Sequence, residues 1–384
     1  MYEVCKTMKE SRLKPIGIVV GVILVLGLLL LAAGCTQSSN DVSNRNMSST
    51  GSSEMASTGS SSANTTLPYT IRANVDKDCT ATPWLVGEQK GFFQHYGINF
   101  VDSGSLDWSL MPAALASGKT DVYDAEINAL INLRQGGAKV VGVVRSNAEP
   151  DPSDTVHSNH MHWLVLNSSQ YTPENITALV QSGHKPKVAV GALGICADLE
   201  TQAWFRQHNL TKDDFEFVVM PDPDQEAALR QGQIDIAVLH PPFYTAAQQH
   251  GGVRVLATSY DAFGTEGGYS LLVFTEDFIQ KNPDAVRAFI KAFKDSERWS
   301  NDHPVESGDL LKQDIGLSGA ASHYYSYTGA INDSDIQPWI DEMVADGDLK
   351  PGEVKPSDLY TTEFSDLWVN ETVPSPLDPY PGGS

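Results

Sequence analysis

The side chains of this 384-residue sequence with the chemistry to hold a ligand fall into a few short groups. Asp76, Asp78, Cys79 and Thr80 come first, then Ser105 and Trp108, then Asp124 and Glu126. The spacing H-x2-H-x-H follows at His157, His160 and His162, and Gly194, Cys196, Asp198 and His240 complete the set. Acids at such positions repel a bare anion such as nitrate and favour a zwitterion, an amine-bearing ring or a cation. Glu126 and Asp198 read equally well as charges that cap helix starts. The histidine spacing is compatible with imidazole ligation of a metal, with His160 and His162 on one face if the segment is a strand. The same three also serve as ordinary polar residues of a hinge. Cys79 and Cys196 read as free thiols near a ligand, as a soft-metal site with His240, or as two buried unpaired thiols. Trp84 and Trp108 offer rings to an organic ligand; a tryptophan that opens a helix belongs more often to the core, which leaves Trp108 the better placed. There is no G-x-S-x-G, H-E-x-x-H or phosphate-loop pattern, so the sequence predicts a binding protein with no catalytic residue, no cofactor and no resident metal.

These residues need elements to position them. Tyr69–Val75 alternates like a strand, and Trp84–His95 reads as one helix ending at Gly97. Short strands are expected at 98–101, 121–123 and 139–145, with helices at 110–117 and 128–135 between them. The pattern then restarts: strands at 187–190, 215–220, 234–239 and 253–257 alternate with helices through about Gln207, over 225–231 and over 243–250. Alternation of this kind specifies a mostly parallel, doubly wound sheet, here twice. His162–Leu166 and Tyr269–Phe274 are apolar strands placed to cross between the two units, giving two lobes with a cleft. Ligands of open α/β sheets sit beyond the carboxyl ends of the strands, which is where the acids, the cysteines and His240 fall. Backbone N–H groups of Gly191–Gly194 are expected to be approachable by an anionic end. Cys79 and Cys196 then lie on opposite walls, where a disulfide would oppose opening.

The charge balance narrows the partners. With 26 Lys+Arg against 48 Asp+Glu the net charge is −22, which argues against nucleic acid as a partner. Hydrophobic residues at 41% exclude a mostly disordered chain, and four cysteines are too few for a disulfide scaffold. Lys6, Lys9, Arg12 and Lys14 precede an apolar run, Ile16–Ala33, and then Gly34-Cys35, the order of an export signal. Leu31-Ala32-Ala33-Gly34-Cys35 resembles a lipobox with Cys35 as the lipidated residue, although its leucine lies four residues before the cysteine; an uncleaved membrane anchor also fits. Either places the remainder at the outer face of the cytoplasmic membrane. A Ser/Thr-rich tether follows, and sequons at Asn46, Asn64, Asn167, Asn175, Asn209, Asn332 and Asn370 suit a glycosylated surface protein or arise by accident in a Ser/Thr-rich chain. The expected divisions are 1–35 signal, 36–66 tether, 67–160 first lobe, 161–266 second lobe, 267–370 return to the first lobe with C-terminal helices, and 371–384 tail.

Gly87-Glu-Gln-Lys-Gly-Phe-Phe-Gln-His-Tyr-Gly97, Ala114-Leu-Ala-Ser-Gly118 and Asp121-Val resemble the opening of ABC-importer substrate-binding proteins of the nitrate/sulfonate/taurine group, which includes pyrimidine-precursor binders. Lys187–Asp198, Gln225–Ala237 and Asn282–Ile290 resemble later stretches of that family, so the likeness covers roughly residues 69–300. It implies a two-lobed type II periplasmic-binding-protein fold that closes on a small solute and docks on an ABC permease with its ATPase. The implied function is delivery of a small organic solute, sulfonate/taurine-like, zwitterionic or an amine-bearing ring. A metal or metal-chelate binder, or a pyrimidine-synthase-like enzyme of the same fold, is the alternative; that enzyme's cysteine-rich cluster is missing.

Overall fold

Ten strands build two five-stranded sheets in this computed structural model, which describes residues 67–317 and 323–368. The first lobe's strands are β1 (Tyr69–Ala73), β2 (Ile98–Asp102), β3 (Val122–Glu126) and β4 (Val140–Arg145). The second lobe's are β5 (His162–Leu166), β6 (Lys187–Val190), β7 (Glu216–Val219), β8 (Ile236–Leu239) and β9 (Val253–Thr258). The chain then returns as β10 (Ser270–Thr275). The spatial orders are β2-β1-β3-β10-β4 and β7-β6-β8-β5-β9. In each sheet four strands run one way and a single strand, β10 or β5, runs antiparallel to both its neighbours. These two are the apolar strands expected to cross. Ser-Leu-Leu-Val-Phe of β10 is buried throughout because helices cover both faces of its sheet.

The helix Pro283–Asp302 shows how the sequence closes the first lobe. Proline opens it without losing a hydrogen bond, and Val286, Phe289, Ile290 and Phe293 recur at helical spacing to give a buried stripe. Trp84 fills the groove opposite, its ring 4.7 Å from Phe293 and 5.6 Å from Phe289, so it is a core residue and not a ligand platform. The expected single helix Trp84–His95 is broken in two, Thr82–Gln89 and Phe92–His95, by Gly91 at φ +79. Only glycine adopts that conformation without strain, and the break swings Phe93 onto the face of Phe289, 5.5 Å away.

A continuous apolar core runs from one sheet to the other through Trp163, Tyr269, Leu271 and Trp339. The helix Asp333–Asp346 touches both lobes: it packs on Ile127–Gln135 and on Cys196–Gln207, and Glu342 accepts from Arg206 at 2.7 Å. Among the described residues no helix is long and apolar enough to cross a membrane. The apolar run Ile16–Ala33, Cys35, the tether and the tail lie outside the described residues.

Candidate functional site

The carboxyl ends of the parallel strands of each sheet border one region, where a set of acids, cysteines and histidines gathers. After β1 the chain turns at Asp78, whose Oδ1 accepts from the N–H and the hydroxyl of Thr80 at 2.8 and 2.7 Å. That use of Thr80 is local. The turn drives Cys79 fully into the interior, and the Tyr325 hydroxyl pins it by donating to the Cys79 carbonyl at 2.9 Å. Burial, and then the nearby Asp78 charge, push the Cys79 thiol well up. Asp76 accepts from the Tyr123 hydroxyl at 2.8 Å; burial first, and Asp78 second, raise it to about 7.

β3 runs three residues beyond its expected end, so Asp124 and Glu126 stand on the strand itself. Asp124 accepts from Ser146 at 2.8 Å and burial raises it to about 6. Glu126 occupies the position before the helix Ile127–Gln135 but makes no capping hydrogen bond. Instead its Oε1 lies 3.7 Å from His160 Nε2, and burial, then Asp124, raise it to about 7. Ser105 is exposed and ties its loop to the Val75 carbonyl at 3.0 Å, apart from this group. Trp108 is half-buried beside Tyr123, 6.4 Å between ring centres, and its Nε1 reaches the second-lobe loop at Gly194.

Across from these acids stands the start of the helix Cys196–Gln207. The Gly194 N–H, expected to be open to an anion, donates to Asp198 Oδ2 at 2.7 Å, and the Gly194 carbonyl accepts from Asn132 of the first lobe at 2.8 Å. Asp198 therefore ties down the loop before its helix, and burial raises it to about 7. Cys196 is buried with its Sγ 3.5 Å from His240 Nε2. Burial first, then Glu126, push its thiol well up. Asp222, which opens the helix Asp222–Arg230 after β7, holds His240 through Nδ1 at 2.9 Å and its backbone N–H at 3.0 Å. Burial alone would lower His240, but Asp222 and the surrounding acids outweigh it and raise the imidazole to about 9. Cys79 and Cys196 are both free thiols.

The three spaced histidines do not converge. His157 is taken by Asp154 at 2.7 Å and the Asn301 carbonyl at 3.0 Å, and His162 stacks on Tyr244 with 3.8 Å between ring centres. β5 begins only at His162, so the alternation that would align it with His160 never extends that far back. His160 alone joins the centre, its ring 4.9 Å from His240 and 5.2 Å from His323. It is fully buried, and neither ring nitrogen has a hydrogen-bond partner. Burial, followed by the His240 and His323 charges, hold it well below the usual histidine range. Gly268, at φ +62, supports the ring from behind; a Cβ there would overlap it.

Sequence reasoning missed Tyr123, Asp222 and His323. Asp222 follows a strand, so the rule that found His240 could have found it. Nothing in the sequence marks His323: a backbone bridge to Ser158 brings it beside His160 from 163 positions away. Three surface hollows, of about 270, 340 and 530 Å3, lie elsewhere. One of about 270 Å3, lined by Leu166, Tyr171, Leu229 and Asp235, sits at the opposite end of β5 from His162 and gathers no comparable set of groups.

The site can therefore hold positive charge or hydrogen-bond donors against carboxyl groups that burial leaves close to their protonation point. A desolvated carboxylate is costly alone, and a donor from a ligand removes that cost.

Several known proteins are similar. A protein of Escherichia coli (strain K12), provisionally named an aliphatic sulfonates-binding protein, is 28% identical over 112 residues, 29% of this chain; the match spans only about a third, 34%, of that relative's own length. The ligand-binding component of an ABC-type import system from Staphylococcus aureus, solved with zinc bound, superposes with a TM-score of 0.61 at 14% identity, covering 79% of this chain and 100% of that one. The periplasmic aliphatic sulphonate binding protein SsuA from Escherichia coli superposes with a TM-score of 0.60 at 20% identity, covering 77% and 92%. These two likenesses are of fold. The model of the NMT1-like family matches residues 77–308, more than half of the chain and both walls of the site, and the protein belongs to that family.

Proposed function

We propose that this protein is the extracytoplasmic solute-binding component of an ABC importer, held at the membrane through Cys35 or an uncleaved anchor and presenting its cargo to a permease and ATPase. The observation that carries this reading is the facing of two polar walls: the half-buried Asp76, Asp124 and Glu126 from the first lobe against the buried Cys196 and His240 from the second. Such groups are costly to desolvate unless a ligand compensates them, so their concentration between two lobes supports a solute site. The acids favour a solute whose cationic or donating part meets them, a taurine-like zwitterion or an amine-bearing ring. Trp108, beside both Tyr123 and Gly194, is the ring that would meet an organic solute.

Small-angle scattering and thermal unfolding with a panel of taurine, alkanesulfonates, ring amines and nitrate test this reading. A zwitterion or amine should compact the protein and raise its melting temperature, with nitrate inert. Compaction on nitrate alone would overturn the assigned solute chemistry, and unchanged scattering with a solute that demonstrably binds would overturn lobe closure.

A further inference from the structure

Cys196 Sγ and His240 Nε2 are 3.5 Å apart, with Nδ1 of the same imidazole held by Asp222 at 2.9 Å. Two ligands at ordinary zinc–sulfur and zinc–nitrogen bond lengths and a tetrahedral angle lie about 3.6 Å apart. A carboxylate that fixes a histidine through one nitrogen and aims the other into a site is the usual outer support of a metal-binding imidazole. A nitrogen of His160 completes a triad with Cys196 and His240 in which all donor atoms lie within 4.8 Å of one another. His160 also completes a second triad, with Cys79 and His323, within the same limit. All five residues are buried, and His160, shared by both triads, has no hydrogen bond from either ring nitrogen.

We propose that His160, Cys196 and His240 form a thiolate–imidazole site for one thiophilic cation, of which zinc(II) is the simplest, with Cys79 and His323 forming an overlapping triad on the same His160. One thiolate and two imidazoles select zinc(II) or copper(I) over magnesium or calcium, which take oxygen ligands. The donors come from both lobes, so the cation clasps them together. Binding displaces the Cys196 thiol proton and the proton that His240 carries on Nε2 to solvent, with no change of oxidation state.

The test uses full-length protein in detergent, stripped with a chelator and dialysed. Calorimetry with zinc(II) should give one equivalent bound, with magnesium and calcium silent. Cobalt(II) should give a thiolate-to-cobalt absorption band that zinc(II) abolishes. Cys196→Ser should remove the band and weaken zinc binding by about 100-fold, and Asp222→Asn, which touches no metal, by about 10–100-fold. Circular dichroism checks that each variant is folded; if Cys196→Ser is not, Asp222→Asn decides on the same readouts. The proposal is overturned if the native protein shows no cobalt–thiolate band, or if the folded variants bind zinc(II) like the native chain. Metal stoichiometry is read without any organic solute, so this outcome stands apart from the compaction experiment.

Discussion

Asp76→Asn isolates what burial does to one wall of the site. Asp76 is raised to about 7 in the folded protein, against 3.8 for an exposed aspartate. Between those values the folded state holds a proton that the unfolded chain has released. Stability therefore falls as pH rises, and the loss levels off above the folded value. At 1.36 kcal/mol per pH unit for one proton, Asp76 costs about 1.5 kcal/mol at pH 5 and about 4 kcal/mol at pH 8. The asparagine keeps the shape and still accepts from the Tyr123 hydroxyl, but cannot ionise. Urea unfolding of the two proteins at pH 5 and pH 8 should show the native chain losing about 2.5 kcal/mol more than the variant over that interval. The variant should be the more stable of the two at pH 8. Parallel pH dependences for both proteins would refute the argument that desolvation sets the state of these acids.

Gly268→Ala combines a left-handed backbone, φ +62, with overlap of the His160 ring, and should cost about 2–4 kcal/mol in urea unfolding; an unchanged midpoint would show that the ring is not fixed by this contact. Lys294 and Glu297 form a buried pair on the helix Pro283–Asp302, and Lys294 also donates to the Arg145 carbonyl at 3.2 Å. Lys294→Met should cost about 3–5 kcal/mol by stranding Glu297, and adding Glu297→Met should recover more than half of that loss. Equal instability of the single and double variants would mean that the carbonyl contacts of Lys294, rather than the stranded charge, set the cost.

Periodicity alone, read from the sequence, determined most of the architecture. Alternating short strands and helices fixed two doubly wound units, and the apolar runs at His162–Leu166 and Tyr269–Phe274 marked the strands placed to cross between lobes, because a strand covered on both faces must be apolar throughout; that they run against their neighbours appears only in the structure. The rule that ligands lie beyond strand ends placed Asp76, Cys79, Asp124, Glu126, Cys196 and His240 in one region, since strand direction is a local property. What each residue does there was decided by tertiary packing. Asp198 and Glu126 both precede or open helices, yet Asp198 ties down the loop before its helix while Glu126 turns to His160. The regular spacing of His157, His160 and His162 suggested a shared face, but the strand starts too late to impose it. His323 joins His160 only through a backbone bridge to Ser158, a pairing between distant segments that leaves no periodic trace in either. Burial, which raises Asp76, Asp124 and Glu126 and lowers His160, is a property of the assembled lobes and of no segment by itself.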